Sequence, residues 1–253
     1  MTPAHAALAF AAAFAAGAIN SVAGGGTLVS FPTLVWLGLP GVTANATSTV
    51  AIWPGSLAGM AGYRREMRGA ARRMLVLAAP SLAGGLLGAL LLARTPPGVF
   101  ERIVPYLILF ATLLFMLQEP LQRRFVTARP GHDSTRWLLG ASVFQFGVAL
   151  YGGYFGAGIG ILMLAALGIL GLTDVHQMNG LKNFFAACIN GVAAVYFAVS
   201  GMVDWPFVLV MAAGAMSGGY LCAGVARRLG RTAVRRIVVG IGFAMALSLF
   251  VRG

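Results

Sequence analysis

The stretch NSVAGGGTLVSFPTLVWLGLP, residues 20–40, places three consecutive glycines between two strongly apolar segments. Each glycine costs about 1 kcal/mol relative to alanine inside a helix, so the run at 24–26 is expected to break one. Only about a dozen apolar residues, 27–37, follow the break. At about 1.5 Å per residue, such a segment is too short to cross a bilayer. The stretch therefore predicts a helix, a glycine break and a short second helix.

The composition around this stretch is that of a membrane protein. The 253 residues are 59% hydrophobic and 9% charged, with a mean hydropathy of +0.86, whereas soluble domains carry roughly a quarter charged residues. Apolar blocks at 76–93, 103–117 and 207–226 have transmembrane length. The N-terminal segment lacks a positive leader region and is expected to be a first membrane helix instead of a cleaved signal.

The net charge of +12 is concentrated in three arginine clusters, within 64–73, 123–136 and 227–236. The connections between them carry few basic residues, and this alternation predicts that the clusters lie in the cytoplasm. The charge is therefore assigned to membrane topology, and no nucleic-acid partner is expected. Cys188 and Cys222 both lie in apolar segments, so neither a disulfide framework nor a metal site is indicated.

An internal repeat covers nearly the whole chain. AAPSLAGG at 78–85 aligns with AAGAMSGG at 212–219, and the same spacing of 134 residues pairs Asn45 with Asn179. The glycines at 24–26 match Gly156, Ala157 and Gly158 at a spacing of 132. The span that ends near residue 63 leads into a basic loop, whereas its equivalent, which ends near residue 200, leads into a turn without arginine or lysine. Opposite orientations are therefore predicted, and inverted repeats are typical of secondary transporters.

The predicted fold is an all-α polytopic membrane protein of two inverted-topology repeats, each a glycine-tipped helical hairpin plus three transmembrane helices. The first repeat is placed at 1–118, a cytoplasmic basic linker at 119–136 and the second repeat at 137–253. The predicted segments are 4–22, 27–37, 44–63, 74–93 and 100–117 in the first half, and 137–151, 159–170, 175–199, 207–226 and 233–251 in the second.

The two glycine tips, at residues 24–26 and 156–158, are the predicted functional site. Backbone that is not helical is tolerated at membrane depth only where it is buried or lines a cavity. The first N–H groups of a helix lack helical partners and carry the positive end of its dipole, so two facing tips predict an anion site near the midplane. Glycines spaced four apart are instead expected to serve helix packing: 55 and 59, 84 and 88, 214 and 218. Nucleotide-binding loops are excluded because neither a preceding strand nor a GK[ST] motif is present.

Lys182 is the only lysine in the chain and falls within a predicted span. An ionisable group at that depth is a functional candidate, with a snorkelling side chain as the alternative. Asn179, Asn183 and Asn190 accompany it, whereas a single hydroxyl nearby more often caps or bonds its own helix. The predicted anion-binding residues are Asn20, Gly24, Gly25, Gly26, Thr27, Asn45, Thr47, Ser48, Tyr151, Gly156, Gly158, Asn179, Lys182 and Asn183.

Asp174 and His176 flank the turn before the Lys182 segment. His176 could couple transport to protons, whereas Asp174 could simply cap the helix. The sequence contains no paired carboxylates, metal-ligand set or nucleophile constellation, so an enzyme, a cofactor and a metal are not expected.

Four motifs in fixed order resemble the sulfite exporter TauE/SafE family: NSVAGGGTLVSFP, ANATS, YGGYFGAGIGILML and VDWPFVLVMAAGAMSGGYLCAGVARRL. The resemblance covers essentially the full chain. It implies a bacterial or archaeal inner-membrane permease for sulfite, sulfoacetate or related sulfonates, driven by ion gradients. The leading hypothesis is a secondary carrier in which one repeat rocks against the other. The alternatives are an anion channel and a non-transporting sensor or subunit. Seams of small residues would permit a homodimer.

Overall fold

The computed structural model describes residues 1–22, 25–62, 64, 65, 67, 69–117, 135–169, 172, 174–229 and 231–252. These residues form ten α-helices and no strand, which confirms the all-helical prediction. The helices are α1 (Pro3–Val22), α2 (Thr27–Trp36), α3 (Gly41–Gly62), α4 (Ala71–Arg94), α5 (Pro97–Met116), α6 (Thr135–Tyr154), α7 (Ile159–Ile169), α8 (Val175–Val199), α9 (Trp205–Leu229) and α10 (Arg231–Arg252).

Each predicted repeat contains five of these helices. Of the predicted linker at 119–136, residues 119–134 lie outside the described residues, and residues 135 and 136 belong to α6. The division into two repeats and the cytoplasmic position of the arginine clusters stay predictions.

Local side chains define where two of the later helices begin. The Asp174 carboxylate accepts the backbone N–H of His176 at 2.9 Å and so caps α8. The Asp204 carboxylate accepts the N–H of Phe207 at 3.2 Å at the start of α9. A side-chain acceptor satisfies one of the N–H groups that a helix leaves open at its amino end. The predicted capping role of Asp174 is confirmed.

The outer surface of the bundle is apolar. The exposed fraction is 75% for Leu75, 68% for Leu209 and 84% for Tyr220, and extensive apolar surface of this kind marks contact with a membrane or a partner. α2 and α7, with 10 and 11 residues, are too short to span a bilayer. Within the described part of the chain, four segments are long and apolar enough to cross: Pro3–Asn20, Met74–Arg94, Pro97–Met116 and His176–Val199.

The helices of the two halves interleave. α1 packs along α9 and α4 packs along α6, while α3 packs against α8 and α5 against α10. In the predicted repeat, each helix corresponds to the helix five places further along, so that α1 corresponds to α6 and α4 to α9. Under this correspondence the contact of α1 with α9 matches that of α6 with α4, and the other two pairs match themselves. Gly84 lies against the Phe146 carbonyl and Gly218 against the Phe14 carbonyl, which are equivalent contacts at the repeat spacings. The packing therefore follows the predicted repeat, and the opposite orientation of the two halves stays a prediction.

Two glycine seams explain how closely these helices approach: Gly84 and Gly88 where α4 meets α6, and Gly214 and Gly218 where α9 meets α1. A Cβ at Gly84, Gly88, Gly214 or Gly218 would come closer than 3.0 Å to backbone atoms of the neighbouring helix, so the packing role predicted for these four glycines is confirmed. Gly55 differs, because a Cβ there would meet only the Ala215 carbonyl oxygen, at 3.9 Å. The surroundings of Gly59 lie outside the described part. Since the four closely packed glycines form two seams within one chain, they lend no support to the homodimer that small-residue seams would permit.

Candidate functional site

A cavity of about 50 Å³ lies where the two glycine tips meet α3 and α8. A cavity that holds a single water molecule needs a volume of roughly 10–15 Å³, so this cavity has room for a guest of several heavy atoms. Its walls comprise Asn20, Gly25, Thr27, Ile52, Gly55, Ser56, Gly156, Ile159, Gly160, Lys182, Asn183, Ala186 and Asn190.

The amino ends of both short helices open onto this one cavity. Thr27 is the first residue of α2 and Ile159 is the first residue of α7. They are 132 residues apart, which is the spacing of the glycine motifs. Two further lining pairs, Ile52 with Ala186 and Ser56 with Asn190, follow the second repeat spacing of 134. Three pairs of lining residues therefore occupy equivalent positions of the two predicted repeats.

The first glycine tip is held by Asn20, near the end of α1. Its Oδ1 atom accepts the N–H of Gly25 at 2.8 Å and the N–H of Gly26 at 2.7 Å. Gly25 has a φ of +154°, and a Cβ there would collide with the ring of Phe115. The N–H groups of Gly25 and Gly26 are therefore already bound by Asn20, and anion binding by the first N–H groups of α2 stays a prediction.

The second glycine tip is held by the side chains of Tyr151 and Asn45. The Tyr151 hydroxyl donates to the carbonyl oxygen of Ala157 at 2.7 Å. The Asn45 Nδ2 atom, from α3, donates to the carbonyl oxygen of Tyr154 at 2.8 Å. Gly156 has a φ of +79°, a conformation in which glycine avoids the strain of a Cβ. Asn45 and Tyr151 thus position the tip and do not line the cavity.

Lys182 lies on the cavity wall with an exposed fraction of 3%. A snorkelling lysine would reach the protein surface, so this burial favours the functional interpretation of the residue. Asn183, one residue further along α8, is 8% exposed and also lines the cavity. Asn190 lies about two turns further on the same helix. Together they place one cationic group and two amides on one wall.

Two predicted hydroxyl residues have partners elsewhere. The hydroxyls of Ser48 and Ser30 are hydrogen-bonded at 2.6 Å, linking α3 to α2. The Thr47 hydroxyl oxygen accepts the backbone N–H of Asp204 at 2.9 Å, linking α3 to the turn before α9. Neither Ser48 nor Thr47 lines the cavity. Both side chains therefore hold helices together instead of facing the anion site.

The other predicted residues divide into lining and non-lining positions. Asp174 and His176 are exposed at the start of α8, away from the cavity wall, and proton coupling through them stays a prediction. Gly24 lies outside the described residues. The predicted residues that line the cavity are Asn20, Gly25, Thr27, Gly156, Lys182 and Asn183, and those that do not are Gly26, Asn45, Thr47, Ser48, Tyr151, Gly158 and Asn179.

Several wall residues were not predicted as binding residues: Ile52, Gly55, Ser56, Ile159, Gly160, Ala186 and Asn190. The signal that could have found some of them is the repeat itself. Applying the spacing of 132 to Thr27 gives Ile159. Applying 134 to Asn190, a polar residue already noted beside Lys182, gives Ser56.

The wall offers hydrogen-bond donors and one cationic group. Among the described residues, no group of three or more His, Cys, Asp and Glu side chains is arranged to hold a metal ion. The arrangement can bind a small anion through amide, hydroxyl and ammonium donors.

The fold and the cavity together define a multi-pass helical membrane protein with a buried polar site between two short helices. The chain matches the family model described as sulfite exporter TauE/SafE over residues 9–249. It belongs to that family, and the resemblance noted in the sequence is confirmed.

Relatives of nearly equal length carry transporter names. A probable membrane transporter protein of Haemophilus influenzae is 28% identical over 96% of this chain and 93% of its own. The probable membrane transporter protein ORF9 of a Sinorhizobium species is 27% identical, covering 95% and 90%. The probable membrane transporter protein YfcA of Escherichia coli is 26% identical, covering 95% and 87%. No solved structure gives a significant match. These names support assignment as a membrane transporter.

Proposed function

We propose that this protein is a secondary transporter that binds small sulfur-containing anions in the cavity and carries them by alternating access. One observation carries the proposal. The amino ends of the two short helices and the buried, ammonium-bearing side chain of Lys182 line the same cavity. Sites where half-helices meet near the contact of two repeats are the usual substrate sites of secondary transporters.

The donors on the wall suit an oxyanion. The Lys182 ammonium can form charge-assisted hydrogen bonds, which are shorter and stronger than neutral ones. The amides of Asn183 and Asn190 and the hydroxyls of Thr27 and Ser56 add neutral donors from other directions. The amino end of α7 favours negative charge through its dipole. A trigonal or tetrahedral group of oxygens could therefore be bound on several sides.

The sulfur-containing class is supported by the family description, and the transport activity by the names of the relatives. Sulfite and small sulfonates have few heavy atoms, in keeping with a cavity of about 50 Å³.

The test is uptake by the purified protein reconstituted in vesicles. We expect saturable, gradient-dependent uptake of sulfite or a short alkanesulfonate, and a loss of about tenfold or more in Lys182→Gln, because the charged partner of the anion is removed. Cys188→Ala is the matched control. This residue lies on the same helix, six positions further on, and does not line the cavity.

Two other results would contradict the proposal. Flux that rises with concentration without saturating, and that needs no gradient coupling, would identify an anion channel. Intact protein with neither flux nor anion-dependent thermal stabilisation would favour a non-transporting sensor or subunit, since a ligand that binds the folded state raises its stability.

A further inference from the structure

The charge of the cavity wall restricts which anions fit it. Among the wall residues that the structure describes, Lys182 alone has an ionisable side chain, and the other polar members are amides and hydroxyls. A wall with one formal positive charge can neutralise at most one negative charge. Neutral donors can form hydrogen bonds to a charged oxygen, but they supply no formal positive charge to neutralise a second negative charge.

The helix dipoles add less positive charge than two open helix ends would. An amino end contributes roughly half an elementary charge, carried by its unpaired N–H groups. At the first tip, the Asn20 carbonyl already accepts the N–H groups of Gly25 and Gly26. That leaves α7 as the main dipole directed at the cavity. The positive charge of the described wall is therefore at most roughly one and a half elementary charges.

Part of the wall is aliphatic. Ile52 and Ile159 are buried residues on the cavity, and Ala186 occupies the position equivalent to Ile52 in the other repeat. Aliphatic groups cannot replace the hydration of an oxygen that carries charge. They can pack against a methyl or methylene group, or against the uncharged face of a small anion.

We propose that this cavity selects monoanions and rejects dianions of the same shape, an inference that rests on the proposed function. Its substrates are then anions with one charged acidic group, such as hydrogen sulfite or a short alkanesulfonate. Sulfate and sulfoacetate, which carry two charges, are excluded. The physical reason is that a second charge would lose its water without gaining a second ionic partner, and an uncompensated buried charge is strongly unfavourable.

Methanesulfonate and sulfate provide a matched pair of probes. Both are tetrahedral and nearly equal in size, and they differ by a methyl group in place of one charged oxygen. We expect calorimetric titration of the full chain in detergent to give a dissociation constant at least about tenfold lower for methanesulfonate, because only its charge is fully compensated. Sulfate binding as tightly as methanesulfonate, or more tightly, would overturn the inference.

A second cation on the wall should reverse this preference. In Ser56→Lys we expect sulfate affinity to rise by about tenfold or more relative to the unmodified protein, because the second charge gains a partner. Leu57→Lys is the matched control, since it adds the same charge at the next residue of α3, which is partly exposed and does not line the cavity. A folded Ser56→Lys protein without improved sulfate binding would contradict the inference.

The two proposals fail in different ways. If neither methanesulfonate, sulfite nor sulfate binds the folded protein, the proposed function falls and this inference falls with it. If sulfate binds well, only the selectivity for monoanions is overturned. The comparison of the two probes on the unmodified chain needs no variant, so it decides the question even if Ser56→Lys does not fold.

Discussion

Asn20 converts a run of glycines into a fixed turn. A backbone N–H that is buried without a partner costs about 1–3 kcal/mol, and the Asn20 side chain supplies the acceptor for two of them. Because Oδ1 is used in this way, the Nδ2 atom remains the part of the side chain that can donate to a guest. The residue therefore links the stability of the tip to the wall of the cavity.

Substitution of Asn20 should separate these two effects. Asn20→Ala leaves two N–H groups without their acceptor, so we expect a lower unfolding temperature. Asn20→Asp keeps an acceptor oxygen for both N–H groups and should recover most of that stability. It also places a negative charge beside the cavity, so we expect the stabilisation by methanesulfonate to be lost. Thermal unfolding with and without methanesulfonate measures both effects.

An Asn20→Asp protein that responds to methanesulfonate as the unmodified protein does would contradict a role for Asn20 on the wall. An Asn20→Ala protein of unchanged stability would contradict its role in holding the tip. The two outcomes are independent, because the first depends on charge and the second on an acceptor.

Sequence reasoning could identify residues that are costly in a membrane. Lys182 and the glycine runs stand out because a charge or a broken helix is rare at that depth. The same reasoning could not separate Ser48 and Thr47 from the wall residues. Their partners, Ser30 and Asp204, lie 18 and 157 residues away along the chain. Whether a hydroxyl is already bonded depends on tertiary packing that spacing alone does not reveal.

At the scale of helices, the seam between α4 and α6 depends on glycine. A Cβ at Gly88 would meet the Leu150 carbonyl oxygen, and would lie 2.7 Å from the Tyr154 nitrogen. Overpacking of this kind typically costs about 1–3 kcal/mol. We therefore expect Gly88→Ala to lower the unfolding temperature in detergent, measured by circular dichroism.

Gly140→Ala is the matched control on the partner helix. Gly140 is exposed on α6, and a Cβ at this position would meet no atom within 4 Å. Alanine is favoured over glycine inside a helix by about 1 kcal/mol, so this variant should be as stable as the unmodified protein or more stable. Equal effects of Gly88→Ala and Gly140→Ala would show that the seam is not close-packed.

The helix boundaries were largely predictable because their causes are local. The predicted segment 27–37 and the observed α2 (Thr27–Trp36) begin at the same residue, since the glycine run ends there. The predicted and observed bounds of α8 (Val175–Val199) are identical, with Asp174 as the cap. α6 (Thr135–Tyr154) is longer than predicted at both ends. It begins at the edge of a basic segment, where composition gives a weaker signal than a break or a cap.

For the whole molecule, the interleaving of the repeats changes the mechanism that the sequence suggested. Rocking of one repeat against the other would separate α1 from α9 and α4 from α6, which are joined along glycine seams. Bodies that move relative to one another are therefore expected to combine helices of both repeats. The repeat spacing could identify equivalent helices, but it could not identify which helices pack together, because equivalence along the chain does not determine contact in space.

The same interleaving predicts that neither half is stable alone. If the chain is divided within the predicted linker at 119–136, each half lacks the partners of its long helices: α1 lacks α9, and α4 lacks α6. We expect either half to aggregate or be degraded when expressed by itself. The two halves expressed together should copurify through a tag on one of them and regain stabilisation by methanesulfonate, because every seam is then restored. Size-exclusion chromatography and thermal unfolding provide the measurement, with the undivided chain as the control. A first half that is monodisperse and unfolds cooperatively on its own would contradict this prediction, since it would mean that contacts within one repeat suffice for folding.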